Sequence, residues 1–427
     1  MKSFPALALS AAIGFASLST GAFAAQETAA ASVLKHYGDI AQATFEDSLS
    51  AAKNLQTSIN AFLATPTEAT LAAAKKSWIA ARVPYQQTEA YRFGNAIVDE
   101  WEGKVNAWPL DEGLIDYVDT NYGTQSDENP YYAANVIANK TLNIGGVKVD
   151  ASKITPALLG ETLQEIDEVE SNVATGYHAI EFLLWGQDLN GTEKGAGKRA
   201  ATDYSLTDCT NGNCDRRRDY LSAATSLLIT DLAEMTANWQ PNGAARKELA
   251  EKGDKGGLAT ILTGMGSLSY GELAGERIKL GLIVHDPEEE HDCFSDNTHF
   301  SHFYDAMSIK NVYTGEYRRV DGTLLKGPSL SALVAGKSAD VDAKLNAQLM
   351  ATQGFMQVMV DEAAKGNTFD VLIGSGNKLG NAIVQDVVDA LTVQTKGIEA
   401  AINALELDKI ELEGSDSLDN PASITAG

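Results

Sequence analysis

The chain has 427 residues, of which 33 are Lys or Arg and 58 are Asp or Glu, so its formal net charge is −25. A balance this acidic argues against nucleic acid and anionic membrane surfaces as partners, and it suits a cation, a basic partner or simply solubility. The length suggests two domains or one large duplicated domain.

Residues 1–24 have the pattern of a secretory signal peptide. Lys2 supplies the positive charge, residues 6–16 form an apolar core, and Ala22-Phe23-Ala24 resembles a cleavage site made of small residues. No later stretch approaches the roughly 18 apolar residues of a membrane span. We therefore predict an exported, periplasmic protein that has no transmembrane segment.

Most of the remaining chain has helical periodicity. The patterns predict helices over 26–63, 68–97 with a break at Pro84, 157–186, 216–239 and 257–284, followed by two amphipathic helices near the C-terminus. Short hairpins are expected within 119–153 and at Asp321-Gly322. Residues 106–118 are irregular but rich in large apolar side chains, residues 187–214 resemble a linker, and the tail after Glu413 is expected to fray.

These patterns predict an all-α fold of two helical-bundle domains with small β-hairpin excursions. The N-terminal domain is placed at 25–205 and the C-terminal domain at 206–427. A weak internal repeat suggests that the two domains are a diverged duplication: Glu89-x-x-x-Phe93-Gly94 is similar to Glu276-x-x-x-Leu280-Gly281.

The three cysteines fall into two groups. Cys209 and Cys214 flank a Thr-Asn-Gly-Asn loop, which predicts a small disulfide in an oxidising compartment. A pair of free thiols in a surface loop is the alternative. Cys293 is left over and lies close to His291 in the sequence.

The stretch GYHAIEFLLWGQDL, residues 176–189, is the most informative part of the sequence. Its apolar residues recur at helical spacing until Gly186. His178 and Glu181 stand three residues apart in this segment, so they share one helix face and can reach a common ion. Burying both without a partner would cost several kcal/mol, so the sequence predicts that something meets them.

A second group of metal-type ligands lies in residues 291–302, which contain three of the six histidines. Asp296 and His299 are three residues apart there and would mirror the first pair if this piece is helical. With Glu89 or Asp111 they would form a mixed nitrogen and oxygen set, which suits iron, manganese or zinc. Such a site needs neutral imidazole, so metal affinity is expected to fall below about pH 6.

Other interpretations of the same residues remain open. His178 could be a core histidine that is bonded to Glu181 or to a backbone carbonyl. The zinc-protease pattern of two histidines four residues apart does not occur around His178, and the sequence has no GxSxG nucleophile elbow.

Three stretches together resemble the imelysin family, also called the M75 peptidase family or the iron-regulated protein A group: GYHAIEFLLWG with its GxHxxE signature, NAWPLDEGLIDYV and EHDCFSDNTH. The resemblance implies two helical bundles with a pocket near the motif, and a cell-envelope role in iron acquisition. No cysteine follows the predicted cleavage site, so at most a peripheral outer-membrane association is expected. Gly176, His178 and Glu181 match the signature, and Trp108, Asp111, Cys293, Asp296 and His299 match the accompanying stretches.

The leading hypothesis is an exported protein that binds iron or an iron complex between its two domains, in contact with envelope iron-uptake components. Zinc is the alternative metal. A metal-dependent endopeptidase of the M75 type and an envelope scaffold without metal are the alternative functions. The predicted metal ligands are His178, Glu181, Asp296, His299 and Glu89, and the predicted pocket residues are Gly176, Arg92, Trp108, Asp111, Glu276, Arg277 and Cys293.

Overall fold

The computed structural model describes residues 29–124, 126 and 129–424, so the signal peptide predicted at 1–24 lies outside the described residues. The helices are α1 (Ala29–Ala64), α2 (Glu68–Gln86), α3 (Ala96–Asn106), α4 (Glu112–Ile115), α5 (Gly176–Trp185), α6 (Cys214–Asn238), α7 (Ala244–Glu251), α8 (Gly253–Ser267), α9 (Leu280–Val284), α10 (Thr298–Thr314), α11 (Leu330–Lys337), α12 (Ala339–Ala363), α13 (Phe369–Ile373), α14 (Lys378–Ala404), α15 (Asp416–Asp419) and α16 (Pro421–Ile424). Two antiparallel hairpins, β1 (Thr141–Ile144) with β2 (Val147–Asp150) and β3 (Glu316–Arg318) with β4 (Leu324–Lys326), complete the fold. The prediction of an all-α protein with small hairpins is confirmed.

The N-terminal bundle is built on α1, which packs against α2 and α6. The chain leaves α2 at Gln86, two residues after Pro84, and passes through a single 3-10 turn at Glu89–Tyr91 before α3 begins. A proline disrupts the hydrogen bonding of a helix interior, and the predicted break is present here. Helix α6, which the predicted boundary assigns to the C-terminal domain, packs on α1 and α5.

The C-terminal bundle is organised around α12, which packs against α10, α11 and α14. A π-helical segment, Leu268–Lys279, joins α8 to α9 without a break and packs on α14. Helix α10 also contacts α2, so the two bundles share one apolar core. None of the described helices is both long enough and apolar enough to cross a membrane.

Residues 414–424 of the tail pack against the π-helical segment and α9, contrary to the prediction that the tail after Glu413 frays. Ser417 is buried, and its hydroxyl donates a hydrogen bond to the Gly275 carbonyl at 2.9 Å. A Cβ on Gly275 would lie 2.3 Å from Ser415, and one on Gly271 would lie 2.7 Å from the Glu413 carbonyl. The glycines of the π-helical segment therefore form the surface that receives the tail.

The position of the helix that carries the GxHxxE motif depends on its first residue, Gly176. Gly176 has a φ of +77°, and a Cβ there would lie 2.4 Å from the Val105 carbonyl oxygen. A side chain would be strained in this conformation and would also clash with α3. Glycine thus lets α5 begin in close contact with α3, and every residue of α5 is buried.

Candidate metal centre

The imidazole and carboxylate of the motif lie side by side on α5. His178 Nδ1 lies 3.0 Å from Glu181 Oε2. The other oxygen, Glu181 Oε1, accepts the backbone N–H of Ser295 at 2.9 Å. Because Glu181 occupies Nδ1, only Nε2 of His178 is left for a ligand, which is the usual arrangement of a metal-bound histidine and its carboxylate partner.

Two residues of the loop 285–297 complete a cluster around His178. His178, His291 and Asp292 each offer one ligand-type atom, and these three atoms lie within 4.8 Å of one another. Among the described residues, no hydrogen-bond partner reaches His178 Nε2 or either ring nitrogen of His291, although all three atoms are buried. Buried polar atoms in proteins are nearly always paired. A mixed nitrogen and oxygen set with unpaired nitrogens fits a metal ion such as iron, manganese or zinc.

Asp292 is held in place by several donors. Arg82 donates to Asp292 Oδ1 at 2.9 Å, and Asn297 donates to Oδ2 at 2.8 Å. The Ser301 hydroxyl also donates to Oδ2. Arg82 is itself anchored by Asn106 at 2.6 Å. The carboxylate is therefore oriented before any ligand arrives, and Arg82 balances its charge.

Burial sets the protonation of the cluster. It lowers the pKa of His178 to about 3, with a further contribution from the Arg82 charge. Burial and the charge of Arg277 hold the pKa of His291 well below its ordinary value. Both imidazoles are therefore neutral near pH 7 and keep a lone pair for a metal. Protonation of His178 is displaced towards pH 3, away from the value of about 6 that was expected from the sequence.

An acidic cleft of about 560 Å³ opens beside the cluster, and His291 lines it. Trp108 lies at the same place, with its ring 5.7 Å from that of His291. A cleft with an excess of one charge attracts ions of the other sign. The lining contains seven acids, Asp99, Glu100, Glu102, Glu165, Glu170, Glu272 and Glu276, and two cations, Arg92 and Arg277.

Glu89, Arg92 and Arg277 belong to an ion-pair network on the cleft side. Arg277 donates to Glu89 at 2.8 Å and to Asp305 at 3.1 Å. Glu272 accepts from both arginines, at 2.8 Å from Arg277 and at 3.1 Å from Arg92. Glu89 is thus the partner of a buried guanidinium in the structure.

Asp296 lies in a second cluster of possible ligands, with Asp188 and Asp370. One carboxylate oxygen of each lies within 4.8 Å of the others. Burial, together with the charges of Asp370 and Asp188, raises the pKa of Asp296 to about 8. Asp296 has a φ of +55° and precedes the first residue of α10, so it does not share a helical face with His299. The condition that the 291–302 piece is helical throughout is therefore not met, because a turn precedes α10.

The other predicted residues are not part of the cluster of His178, His291 and Asp292. His299 is buried, and burial lowers its pKa to about 4. Asp111 accepts the Ser171 hydroxyl at 2.7 Å. Cys293 is half-buried beside a small cavity. Cys209 and Cys214 are joined in a disulfide in the structure.

His291 and Asp292, the other two members of the cluster, were not identified as ligands from the sequence. Asp292 lies within the stretch EHDCFSDNTH, next to His291, so the adjacent histidine and aspartate were an available signal. Arg82 gave no signal, because an arginine in a helix is ordinarily a solvated residue. Its role follows from a contact with Asp292, 210 residues further along the chain.

Comparison with known proteins agrees with this architecture. The curated iron-regulated protein A of Synechococcus elongatus is 23% identical over 292 residues, which cover 66% of this chain and 61% of that protein. The chain thus spans less than two thirds of the length of this relative.

Two crystal structures share the fold. One is of a protein described as an iron-regulated protein A precursor from Parabacteroides distasonis, with a TM-score of 0.63, 18% identity and coverage of 89% of this chain and 96% of that one. The other is of an imelysin-like protein from Psychrobacter arcticum, with a TM-score of 0.56, 18% identity and coverage of 88% and 94%. The model of the imelysin family, Peptidase M75, matches residues 41–398. Since this match spans most of the 427 residues of the chain, the chain belongs to the imelysin family.

Proposed function

We propose that this protein captures iron, as an ion or a small complex, at the cluster of His178, His291 and Asp292. The observation that carries the proposal is the set of buried, unpaired imidazole nitrogens beside an oriented carboxylate, described above. Glu181 would orient the His178 ring by its contact with Nδ1, without touching the metal itself. The name of the curated relative, iron-regulated protein A, supports iron among the metals that such a set accepts.

The acidic cleft supplies the route to this cluster. Its carboxylates would raise the local concentration of a cation, and His291 lies at the point where cleft and cluster meet. We infer that the protein works in iron acquisition in the periplasm, delivering its iron to envelope uptake components. The relation to an iron-regulated relative and the predicted signal peptide support this role.

Calorimetric titration with ferrous, ferric and zinc salts tests the proposal. The wild-type protein should bind iron, and His178→Gln and His291→Gln should lose most of the affinity. His36→Gln is a matched control, because His36 is also buried but has a partner, the Gly315 carbonyl, 2.9 Å from Nε2. Equal binding by the wild type and both cluster variants would overturn the proposal.

The same protein should be incubated with denatured insulin chains, with and without chelator. Chelator-sensitive cleavage that Glu181→Gln abolishes would assign the cluster to an M75-type endopeptidase. Intact insulin chains together with tight iron binding would support capture.

A further inference from the structure

The cluster of Asp188, Asp296 and Asp370 draws its members from three separate parts of the chain. Asp188 follows the end of α5, Asp296 lies in the loop that carries His291 and Asp292, and Asp370 lies on α13. Asp188 is half-buried and the other two are buried. Three carboxylates brought together in this way repel one another unless protons or a cation separate them.

The unpaired oxygens point to a cation. Within the described part of the chain, Asp296 is buried and its Oδ1 has no hydrogen-bond partner. Asp370 is fully buried, and no well-aligned donor reaches either of its oxygens, although the Thr368 hydroxyl and the Val371 backbone N–H lie close to them. Asp188 already has partners: its Oδ1 accepts the Asn190 backbone N–H at 2.9 Å and the Asn190 side-chain amide, and its carboxyl group shares a hydrogen bond with Asp296. Leaving a buried carboxylate oxygen unpaired is costly.

The surroundings add further acceptors. Glu290 is 1% exposed, its Oε1 lacks a partner among the described residues, and its strongest electrostatic contacts are with Asp370 and Asp296. A small cavity of about 10 Å³ lies on the Asp188 side of the cluster and is lined by Asp188 and Glu290, along with Glu112 and Glu288, but not by Asp296 or Asp370. Lys198 is near Asp188, but its ammonium donates to Asn190.

We propose that Asp188, Asp296 and Asp370 form a second cation site, which takes a hard divalent cation and fits calcium best. Oxygens are the donors that calcium and magnesium prefer. Calcium accepts six to eight oxygens at about 2.3–2.6 Å in a flexible geometry, whereas magnesium demands a near-ideal octahedron at about 2.0–2.1 Å. The three oxygens lie within 4.8 Å of one another on three separate parts of the chain, and the more flexible calcium geometry suits such a set better.

The ion would act as a clamp. It would tie the loop that carries His291 and Asp292 to the end of α5 and to α13. Because the two clusters have no residue in common, this inference stands or falls independently of iron capture.

Thermal unfolding of the chelator-treated protein, with calcium chloride as the probe, tests the second site. At calcium about 100-fold above the dissociation constant, the wild-type Tm should rise by about 3 °C, because a gain of about 2.7 kcal/mol is divided by the unfolding entropy of about 400 residues. Asp370→Asn should lose this rise, and without calcium it should be at least as stable as the wild type, because the change removes a buried like charge. That second measurement separates a lost site from a damaged fold.

Two variants serve as controls. Asp361→Asn changes an exposed acid on α12, and His178→Gln changes the other cluster; both should keep the full calcium response. A wild-type Tm that calcium leaves unchanged would overturn the inference, as would an undiminished rise in Asp370→Asn. An equal rise with the same concentration of magnesium would overturn the preference for calcium.

Discussion

Two buried charged clusters in this protein differ in how completely their polar atoms are hydrogen-bonded. In the first, Asp116 accepts from Arg199 at 2.7 Å and from Arg217 at 2.6 and 3.0 Å. Asp203 extends the network, accepting the Thr210 hydroxyl at 2.7 Å. Within the part of the chain that the structure describes, Arg199 Nε is the one buried side-chain atom of these four charged residues that lacks a partner. In the second, the cluster of His178, His291 and Asp292, three buried ring nitrogens have no partner among the described residues.

The difference teaches where function lies in a protein with many buried charges. A network that satisfies itself stabilises the fold and has little capacity left for a ligand. A cluster that keeps donors or lone pairs unpaired gives up stability, and it recovers that stability when a ligand binds. The pKa values follow the same division. Burial raises the pKa of Asp116, but Arg199 and Arg217 outweigh burial and hold the pKa below its ordinary value. Burial and the charge of Arg82 instead lower the pKa of His178 to about 3.

The largest effect is expected in the satisfied network. Asp116→Asn leaves Arg199 and Arg217 buried without their carboxylate, so the free energy of unfolding should fall by about 3–5 kcal/mol. Urea denaturation measures this loss, and iron binding by the folded fraction should be unchanged. Asp39→Asn, which removes a partly exposed ion pair with Arg246, should cost no more than about 1 kcal/mol. Equal losses in the two variants would contradict the structural role of Asp116.

The next effect concerns the glycine that begins α5. Gly176→Ala combines a strained φ with a Cβ 2.4 Å from the Val105 carbonyl oxygen, and should cost about 2–4 kcal/mol. Because the helix must shift, iron affinity should fall as well. Gly322→Ala is the matched control: its φ is +87°, but no described atom lies within 4 Å of the added Cβ. A Gly176→Ala variant that loses no more stability than Gly322→Ala would show that the contact with α3 is unimportant.

A third prediction concerns Glu112, a buried acid that accepts a long hydrogen bond, 3.4 Å, from the Gln187 side chain. Burial raises its pKa to about 7. Between about pH 4.5 and pH 7 the unfolded chain releases this proton and the folded protein keeps it, so the Glu112 contribution to stability declines as pH rises and is constant above pH 7. Glu112→Gln should therefore raise the free energy of unfolding at pH 8 by about 1–3 kcal/mol.

Urea denaturation at pH 5 and pH 8 measures the Glu112 effect, which should shrink at the lower pH. Glu411→Gln, at an exposed position, is the control and should show no such dependence. A gain of the same size at both pH values would contradict an ionisation effect.

Much of the helical fold could be predicted from local patterns in the sequence. Helix α1, predicted over 26–63, is found at Ala29–Ala64, because apolar periodicity is a local property. The π-helical segment Leu268–Lys279 could not be predicted within the expected helix 257–284. It packs against α14 and the tail, and such contacts between distant segments leave no periodic signal in the chain.

The site divides in the same way. His178 and Glu181 were recognisable because they interrupt an apolar helix, and their side chains do meet. Asp292 and Arg82 are brought to them only by the tertiary fold. Asp296 was grouped with His299 on the condition of a continuous helix. Its left-handed backbone, two residues before α10, points its carboxylate into another cluster instead.

The smallest effect on stability is expected where the effect on binding is largest. His178→Gln removes a ring whose Nε2 has no partner among the described residues, and the glutamine amide can still donate to Glu181. The free energy of unfolding should change by no more than about 1 kcal/mol. Iron affinity should fall by more than about 100-fold, because even the loss of an outer partner costs about 10–100-fold. Glu181→Gln should lie within that lower range. If His178→Gln instead destabilises the protein as severely as Asp116→Asn, the imidazole of His178 is needed for the fold. The distinction between the hydrogen-bonded Asp116 network and the unpaired His178 cluster would then be wrong.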